Sequence, residues 1–562
     1  TGRGEIIGKL ADKAVAYYDG LPAELMTPQT RLYRGMALVR KASSLADGGN
    51  EPEARKYAAQ ARAIFVEMRA AGNQTDEVAT ALALAMFADP SLGGLGDSRL
   101  KLEQATGLLR PIVKAGHASR STKLALADML QFLAHTETAE EGLASCEESR
   151  KLLTEVGALD QSDLTAASIY GDVTDTQSRM ALKLGRLDEA ERLAGIVSDV
   201  SEKVLEQRPS DLRAMRNRYY SANVLGRVSR YRHDLANAEK YYAKGTEATL
   251  TYVRFNPADS TAWSNLTTGL NDEAFNLADQ GRYSSAVAKL RTSAALEHDP
   301  RNKTGLNFFI FIAWKNILLI ESRLGHEPAA REAVAEISRI RPELRNAYNL
   351  DAEVMGISDI EIASVEFDLL ATKGDFAGIH SQVGKFRDQL GKVKQVGAGN
   401  QNYRADMERR FMIWQVESAL RVANFEEAVS VARDFVAAPR VGGLEKLPLE
   451  FVTMAMKTRL AQGLLATGRR ADGVAMLREV VAHFRAEKAK GAAETDFRQE
   501  FSRALYQLAL AQSADDAGRA ERTALLDEAD AVLTSLSLEA KQLAASKDLI
   551  QWVNAARAQS TQ

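Results

Sequence analysis

Proline, cysteine and net charge are all scarce in this sequence, and each scarcity excludes something. Only 12 of the 562 residues are proline, whereas about 5% is usual, so helix-breaking residues are few. The single cysteine, Cys146, excludes an intrachain disulfide and any metal site built from several cysteines. A formal net charge of −3 argues against a dedicated nucleic-acid or anionic-membrane binder. The composition therefore favours a nearly neutral, all-helical protein.

Long apolar runs are missing as well. The most apolar stretch, residues 306–320, is interrupted by Asn307, Lys315 and Asn316 and is too short to span a bilayer. The first residues carry no signal-type apolar segment, so we expect a cytoplasmic protein or, alternatively, the periplasmic portion of a membrane-anchored one. Because Thr1 stands where an initiator methionine would, we expect this chain to be a portion of something longer.

Residue types that perform catalysis or hold cofactors form no motif. The seven histidines are scattered, with no pair four residues apart, so we predict no metal site. The glycines at 93, 94 and 96 follow a helical pattern rather than a strand, which argues against a dinucleotide loop. We therefore predict no catalytic residue and no cofactor. An all-helical enzyme with an unrecognised acidic centre remains the least favoured alternative.

A repeated pattern dominates the sequence instead. A turn residue is followed five positions later by a small residue, and from residue 190 onward these small positions recur every 44 to 49 residues. Such a period is typical of stacked helical hairpins. The turn and small residues pair as Gly49 with Ala54, Gly185 with Ala190, His233 with Ala238, Gly281 with Ala286, Gly325 with Ala330, Gly374 with Ile379, Ala423 with Ala428, and Gly468 with Gly473.

This pattern resembles the tetratricopeptide repeat, in which two antiparallel helices meet at a glycine-containing turn and cross closely at small residues. The clearest unit begins at Pro257 and carries Trp263, Ala286 and Pro300 in the family's order. Each helix is longer than the family's consensus by about seven residues, which returns an α-helix to nearly the same face. The resemblance implies a right-handed, all-α solenoid of long-helix hairpins whose neighbours supply one another's core.

We count about eleven hairpins and divide them by regularity. Degenerate helical repeats cover residues 1–157, regular repeats 158–345 and further repeats 346–536, and a capping helix with the tail fills 537–562. Looser junctions are predicted at residues 90–97, 392–402 and 441–448.

The first full hairpin shows the local signals for a helix start, a helix stop and a buried face. Thr27 is expected to cap a helix that begins at Pro28 and stops at Gly48 and Gly49. The second helix then places a row of alanines and one phenylalanine on its buried face. These residues are Ala54, Ala58, Ala61 and Phe65.

Side chains on the first helices of the regular repeats form the candidate binding site. In this repeat type the first helices line a concave groove. Aligning the repeats by their small residues places Asp175, Asn223 and Asn271 at one groove-facing position, with Lys315 and Asn316 at the matching place in the next repeat. The remaining candidates are Arg179 and Arg227, one turn further along, with Arg230 and Tyr231 nearby.

The helix that carries Asn223 is notably basic. Asparagine presents both a donor and an acceptor and can hold an extended peptide backbone, and arginine adds bidentate capture of a carboxylate. These chemistries favour a protein or peptide partner, with an acidic segment or a chain terminus as candidates. Two alternatives stay open: a solvated or inter-repeat structural role and nucleic-acid contact. The basic and aromatic residues concerned are Arg213, Arg216, Arg218, Arg227, Arg230, Arg232, Tyr219, Tyr220 and Tyr231.

The N-terminal text is similar to the start of tetratricopeptide tails in bacterial multidomain signalling proteins. It runs from Gly2-Arg3-Gly4-Glu5 through Tyr17-Tyr18-Asp19-Gly20 to Thr27-Pro28. In such proteins the tail follows a Toll/interleukin-receptor-like, kinase or nucleotide-switch domain, so the resemblance implies a sensing or scaffolding part. We therefore predict a non-enzymatic scaffold that binds a protein or peptide in its groove. The alternative is a self-associating regulatory tail that forms a homo-oligomer.

Overall fold

The computed structural model describes residues 3–47, 50–89, 95–160, 162–302, 308–347, 352–393, 401–438 and 446–560. Across these residues all regular structure is helical and no β-strand occurs. The α-helices are α1 (Arg3–Asp19), α2 (Pro28–Asp47), α3 (Glu51–Ala70), α4 (Asp76–Phe87), α5 (Leu95–Lys114), α6 (Arg120–Ala134), α7 (Ala139–Glu155), α8 (Leu164–Lys183), α9 (Leu187–Gln207), α10 (Leu212–Tyr231), α11 (Leu235–Phe255), α12 (Ser260–Asp279), α13 (Tyr283–Ala295), α14 (Phe308–Leu324), α15 (Glu327–Ala347), α16 (Ala352–Ser364), α17 (Glu366–Thr372), α18 (Phe376–Lys392), α19 (Gln401–Arg421), α20 (Phe425–Ala437), α21 (Lys446–Ala466), α22 (Arg470–Ala489), α23 (Thr495–Leu510), α24 (Asp516–Thr534) and α25 (Ala544–Ser560).

In the described ranges, helices α2 to α24 follow one another as eleven hairpins, with α16 and α17 as two pieces of one first helix. Thr27 caps α2 as predicted, because its Oγ1 accepts a hydrogen bond from the backbone N–H of Thr30 at 3.2 Å. The predicted stop at Gly48 and Gly49 lies outside the described residues, as do most of the junctions at 90–97, 392–402 and 441–448. The last helix, α25, follows a short 3-10 helix at Ala540–Gln542.

The turn between the two helices of a hairpin recurs with one geometry. All seven predicted turn residues from 185 to 468 have a left-handed backbone, with φ between 61° and 81°. In each case the next residue donates its N–H across the turn to a carbonyl five residues earlier, at 2.8–3.0 Å. This is the hydrogen bond of the Schellman motif, which satisfies a carbonyl left open at a helix end. The turn residues are Gly185, His233, Gly281, Gly325, Gly374, Ala423 and Gly468.

The small residues that follow these turns are buried, as the repeat requires. Ala190, Ala238 and Ala286 each have 0% exposure, and Ala330 and Ala428 have 1%. Trp263, near the start of α12, is also completely buried, and its Nε1 donates to the carbonyl of Pro257 at 2.9 Å. Buried small residues let paired helices approach closely. The predicted fold, an all-α solenoid of tetratricopeptide-type hairpins, is confirmed.

The chain divides into two compact units. Unit 1 comprises residues 1–228 and 244–263, and unit 2 comprises residues 229–243 and 264–562. In unit 1 the predicted face of α3, Ala54, Ala58, Ala61 and Phe65, is at most 1% exposed. The Phe65 ring fills space beside Gly35, where a Cβ would lie 2.4 Å from it. The predicted buried face of α3 is thereby confirmed, whereas the predicted repeat boundaries at 157 and 345 stay predictions.

In unit 2 the last helices contact the first hairpins of the same unit. One apolar core includes Ile317 of α14 together with Phe484 and Phe501 of α22 and α23. Polar contacts reinforce it: Arg323 lies 2.6 Å from Asp496, and the Ser537 hydroxyl donates to the carbonyl of Gly281 at 2.8 Å. Unit 2 is therefore held by contacts between residues far apart in sequence as well as by neighbouring hairpins.

Ala423 is a turn residue whose left-handed backbone (φ 61°) carries a Cβ. That conformation costs a non-glycine residue about 1–2 kcal/mol, whereas glycine adopts it freely. Ala423 is exposed, so its methyl group contributes little packing. We expect Ala423→Gly to raise the free energy of unfolding by about 0.5–1 kcal/mol, after allowance for the greater freedom of glycine in the unfolded chain. Urea denaturation measures this change.

His233 is the matched control, because its φ is 63° and its side chain offsets the strain. Its Nδ1 lies 2.7 Å from Glu494 and its Nε2 lies 3.4 Å from Glu487. The hydrogen bond to Glu494 raises the pKa of the imidazole above 6.5, so these ion pairs stabilise the fold fully below pH 6.5 and fade as pH rises through the raised pKa. At pH 6 we expect His233→Gly not to raise the free energy of unfolding. Equal stabilisation by both variants would contradict this account.

Candidate functional site

The two predicted contacts on α8 form an ion pair with each other. The Asp175 side chain is 1% exposed, and the Arg179 Nε lies 2.8 Å from its Oδ2. Burial raises the pKa of Asp175 to about 6 against the opposing effect of Arg179. The guanidinium of Arg179 also lies 5.1 Å from the centre of the Tyr220 ring. This pair thus has an inter-helix structural role, and any part it takes in binding stays a prediction.

Two arginines in the first turns of the basic helix α10 pair with acidic residues of earlier helices in unit 1. Arg213 lies 2.9 Å from Asp128 and 3.2 Å from Asp172, and Arg216 lies 3.2 Å from Asp172. Of the predicted contacts on this helix in unit 1, Asn223 and Arg227 are half-buried. The inter-repeat role that the sequence left open therefore describes the first turns of α10, while the binding role of Asn223 and Arg227 is untested.

The predicted contacts in unit 2 take part in local interactions. The Nε of Arg230 lies 2.5 Å from Asp279, and Lys315 pairs with Glu361. Asn271 is 2% exposed and donates to the carbonyl of Phe309 at 3.0 Å. The remaining two differ: Asn316 donates within its own helix to the carbonyl of Ile312 at 2.7 Å, and Tyr231 is half-buried.

Unit 2 also contains a cavity of about 280 Å³ that the sequence analysis missed; we call it the unit 2 cavity. A second cavity of about 620 Å³ adjoins it and shares Phe376, Arg421 and Asp548 with it. The walls come from first helices of successive hairpins (α14, α17, α19, α21, α23), from Phe376 at the start of α18, and from α25 with the residue before it. The charged lining consists of Arg323, Asp368, Glu417, Arg421, Arg459, Asp496, Glu500, Arg503 and Asp548.

Glu417 is the centre of this charged lining. Its carboxylate lies 2.9 Å from Arg459, 3.1 Å from Arg503 and 3.3 Å from Arg421. Burial alone would raise the pKa of Glu417, but the three guanidiniums, Arg503 foremost, hold it far below its usual range. Arg459 is bound on its other side by Glu500, with two contacts of 2.9 Å. Glu417 and its two closest arginines are only 7–9% exposed.

The outer charges of the unit 2 cavity are also paired. Arg323 lies 2.6 Å from Asp496 and Arg421 lies 2.6 Å from Asp548. Asp368 lies 3.2 Å from Arg410, and burial raises the pKa of this carboxyl group despite that arginine. The lining therefore presents alternating charges in which every carboxylate has a guanidinium partner.

Aromatic and aliphatic side chains complete the walls. The guanidinium of Arg421 lies between two rings, 4.4 Å from the centre of Phe376 and 4.6 Å from that of Trp552. Such placement adds cation–π attraction to the Asp548 ion pair. The other apolar lining residues are Ala371, Ile413, Trp414, Phe451, Val452, Ala455, Met456, Leu543, Ala544 and Ala545.

A signal for this cavity does exist in the sequence. Glu417, Arg459 and Arg503 lie one repeat apart in successive first helices, as do Arg323 and Asp368. Charges that recur at the repeat period would have pointed to unit 2. Within the described ranges, no cluster of potential metal ligands is found, and no helix has both the length and the hydropathy that crossing a membrane demands.

Comparison with known proteins gives no family assignment. No protein-family model matches the chain, and no curated protein matches it. Among solved structures, yeast Tom70 is similar at 12% identity over 99% of this chain and 95% of that one, with a TM-score of 0.35. Ypp1 is similar at 10% identity over 99% and 92%, with a TM-score of 0.33. The APC/C hetero-tetramer Cut9-Hcn1 is similar at 12% identity over 89% and 94%, with a TM-score of 0.28. At such scores the likenesses carry no argument about function, which rests on the chain's own residues.

Proposed function

We propose that this protein is a non-catalytic scaffold that binds a polypeptide segment along the first helices of unit 2. The observation that carries the proposal is the unit 2 cavity, whose walls are supplied by several successive hairpins. Partly enclosed clefts with apolar walls and a few polar groups are the usual form of a binding site. A segment that enters this cavity would touch several repeats at once.

The pairing of charges favours binding over catalysis. A general acid or base needs a carboxyl group whose proton is free to move and whose pKa lies near the working pH. Each carboxylate of the lining is instead held by a guanidinium, and Glu417 is bound by three. Such a network fixes the positions of the helices and the charge pattern of the wall.

Unit 1 supplies a further part of the proposal. Asn223 and Arg227 are half-buried on α10, and an amide beside a guanidinium can hold a peptide backbone and a carboxylate. We propose these two residues as contacts for an acidic segment or a chain terminus. The N-terminal resemblance adds that the scaffold belongs to a larger bacterial signalling protein. The alternative function is self-association. Measurements of molar mass at several protein concentrations distinguish it from peptide binding.

A phage-displayed random peptide library tests the proposal. It is panned in parallel on the whole chain, on Ala545→Phe, which fills the cavity from α25, and on Ala482→Phe. Ala482 is exposed on α22 and does not line the cavity, so it is the matched control. We expect peptides enriched by the unaltered chain and by Ala482→Phe to lose about tenfold or more of their affinity on Ala545→Phe, equivalent to about 1.4 kcal/mol.

Thermal unfolding of each variant confirms that it is folded. Ala455→Leu fills the same cavity from α21 and replaces Ala545→Phe if that variant does not fold. Failure of the unaltered chain to enrich any peptide contradicts the proposed function. If the enriched peptides bind Ala545→Phe as tightly as the unaltered chain, the binding site lies outside the unit 2 cavity and the proposed location is wrong.

A further inference from the structure

The second cavity of unit 2, of about 620 Å³, is lined by exposed residues as well as by residues of the unit 2 cavity, and we call it the outer cavity. Its walls come from the stretch between α17 and the start of α18, from the end of α19 and from the first turns of α25. Phe376 and Arg421 belong to the walls of both cavities, so a single extended segment can occupy both. The space beside Gly374 in the outer cavity is open, because no atom lies within 4 Å of the position a Cβ would take there.

The charges around Glu417, at the inner end of this cleft, are balanced. Three guanidiniums face three carboxylates in that network, so it offers no surplus charge to an ionised group of a ligand. Burying such a group without a counter-charge is costly. The residues of the network are Arg421, Arg459, Arg503, Glu417, Glu500 and Asp548.

The outer cavity, in contrast, has a surplus of positive charge. Two lysines and one arginine line it against one aspartate. That aspartate, Asp548, is already engaged by Arg421 at 2.6 Å. Lys547 is exposed near the start of α25, and no carboxylate in the described part of the chain forms an ion pair with it. The Lys547 ammonium is therefore available to a ligand.

The second lysine, Lys373, has only a shared partner. Its Nζ lies 3.1 Å from Glu327, a carboxylate that also pairs with Arg331. The Lys373 side chain is 55% exposed, so its ammonium can meet a second carboxylate without losing all its water. Attraction between charges near a protein surface extends over several ångström. A carboxylate in the outer cavity is therefore attracted by both lysines.

These charges favour an acidic polypeptide over nucleic acid. Binding of nucleic acid depends on a basic surface that neutralises many successive phosphates. The outer cavity supplies two available lysines and adjoins apolar walls, among them Trp414 and Met456 of the unit 2 cavity. A polypeptide carries both kinds of group that this cleft can bind, a carboxylate and an apolar side chain.

We infer that the outer cavity binds an acidic side chain, Asp or Glu, of the same polypeptide segment that enters the unit 2 cavity, with Lys373 and Lys547 as its contacts. This inference rests on the proposed function and adds a charge requirement to its ligand. Because salt screens exposed charges, the preference for acidic segments falls as the ionic strength rises. Binding to the apolar walls depends little on salt.

Four pools of peptides with a central Leu, Phe or Met test the inference. The flanking residues are Asp and Glu in the acidic pool, Ser and Gln in the neutral pool, and Lys and Arg in the basic pool, and these three pools are acetylated and amidated. The fourth pool repeats the neutral one with a free terminal carboxylate. Fluorescence polarisation on the whole chain at about 50 mM salt should show that the acidic pool binds about fivefold tighter than the neutral pool, and the basic pool more weakly than either. At about 500 mM salt the advantage of the acidic pool should fall below about twofold.

The double variant Lys373→Gln/Lys547→Gln locates this preference. Neither residue lines the unit 2 cavity, so the neutral pool should bind the variant as it binds the unaltered chain. The acidic pool should lose its advantage over the neutral pool. Lys385→Gln/Lys392→Gln is the matched control, because it removes the same charge from two lysines that are exposed on α18 and line neither cavity. The control should keep the full preference.

Each contrary outcome rejects a different statement. If the unaltered chain shows no acidic preference, or if Lys373→Gln/Lys547→Gln keeps it, the inference is wrong, while binding of the neutral pool leaves the proposed function standing. Tighter binding of the pool with a free terminal carboxylate than of the acidic pool rejects an acidic side chain as the ligand group. Tighter binding of a fluorescein-labelled single-stranded oligonucleotide than of the acidic pool rejects a polypeptide as the ligand of the outer cavity. Binding of none of the four pools, together with a library that enriches nothing, overturns the proposed function itself.

Discussion

Glu417→Gln is expected to lower the free energy of unfolding by about 3–5 kcal/mol, the range found when one member of a buried ion pair is removed. The substitution keeps the size of the side chain but withdraws the negative charge shared by three arginines. Arg459 and Arg503 are then left with a net positive charge in a site where each is at most 8% exposed. Guanidinium chloride denaturation of the whole chain at pH 7 measures the loss.

The pH dependence of the free energy of unfolding below pH 4.5 gives a second, independent test of the role of Glu417. The folded-state pKa of Glu417 is depressed below its ordinary value of 4.5. The contribution of Glu417 to folding stability is therefore fully present above pH 4.5 and is lost as the pH falls toward and through the depressed folded-state pKa. Because glutamine does not titrate, the stability difference between the unaltered chain and Glu417→Gln should narrow steadily as the pH falls below 4.5.

Glu332→Gln is the matched control for the charge change. Glu332 lies 2.8 Å from Arg291 of the preceding hairpin, and both side chains are more than two-fifths exposed. Exposed pairs of this kind contribute about 0–1 kcal/mol, so this control should hardly change stability. A loss at Glu417 no greater than the loss at Glu332 would show that water reaches the network and that its arginines do not lock the first helices together.

The repeat was predictable because its signals are local. A left-handed turn residue and a small residue five positions later are both set by the geometry of one hairpin. The register therefore holds even where glycine is replaced, as at His233 and Ala423. The structure confirms it through φ values of 63° and 61° at those two positions. Seven hairpin turns between residues 185 and 468, and the buried residues five positions after them, followed from that register.

The candidate site was less predictable because exposure depends on the neighbouring helices. The repeat alignment placed Asp175 and Asn271 on a groove-facing position, yet they are only 1% and 2% exposed. Asn271 donates to a carbonyl of the next hairpin, and Asp175 lies 2.8 Å from Arg179, so neighbouring side chains and helices close both positions. Their burial could not be derived from the spacing of residues along a single helix.

The unit 2 cavity was missed for a related reason. Glu417, Arg459 and Arg503 recur at the repeat period, but charged residues on helices are common and usually solvated. Only the arrangement of three first helices shows that these charges meet one another and are withdrawn from water. His233 gives a second example, because its partners Glu487 and Glu494 lie more than 250 residues further along the chain.

Gly281→Ala is the second substitution for which we expect a large effect, a loss of about 2–4 kcal/mol. The left-handed φ of +74° alone costs alanine about 1–2 kcal/mol. In addition, the new methyl group would lie 2.9 Å from the Cβ of Ala540 and 2.7 Å from the Ser537 hydroxyl. Forcing atoms into a packed contact typically costs a further 1–3 kcal/mol, roughly. Alanine recovers about 0.5–1 kcal/mol of the sum because it is less free than glycine in the unfolded chain. Chemical denaturation measures the net loss.

Gly374→Ala isolates the conformational part of that cost. Gly374 has a φ of +73°, but no atom lies within 4 Å of the position its Cβ would take. We therefore expect Gly374→Ala to lose only about 0.5–1 kcal/mol of stability, after the same allowance for the unfolded chain as at Ala423. The difference between the two variants reports how tightly the α12–α13 turn packs against the segment before α25. Equal destabilisation by the two substitutions would show that the α12–α13 turn packs only loosely against the segment before α25, despite the hydrogen bond from Ser537 to Gly281. Contacts between neighbouring hairpins would then be what holds unit 2 together.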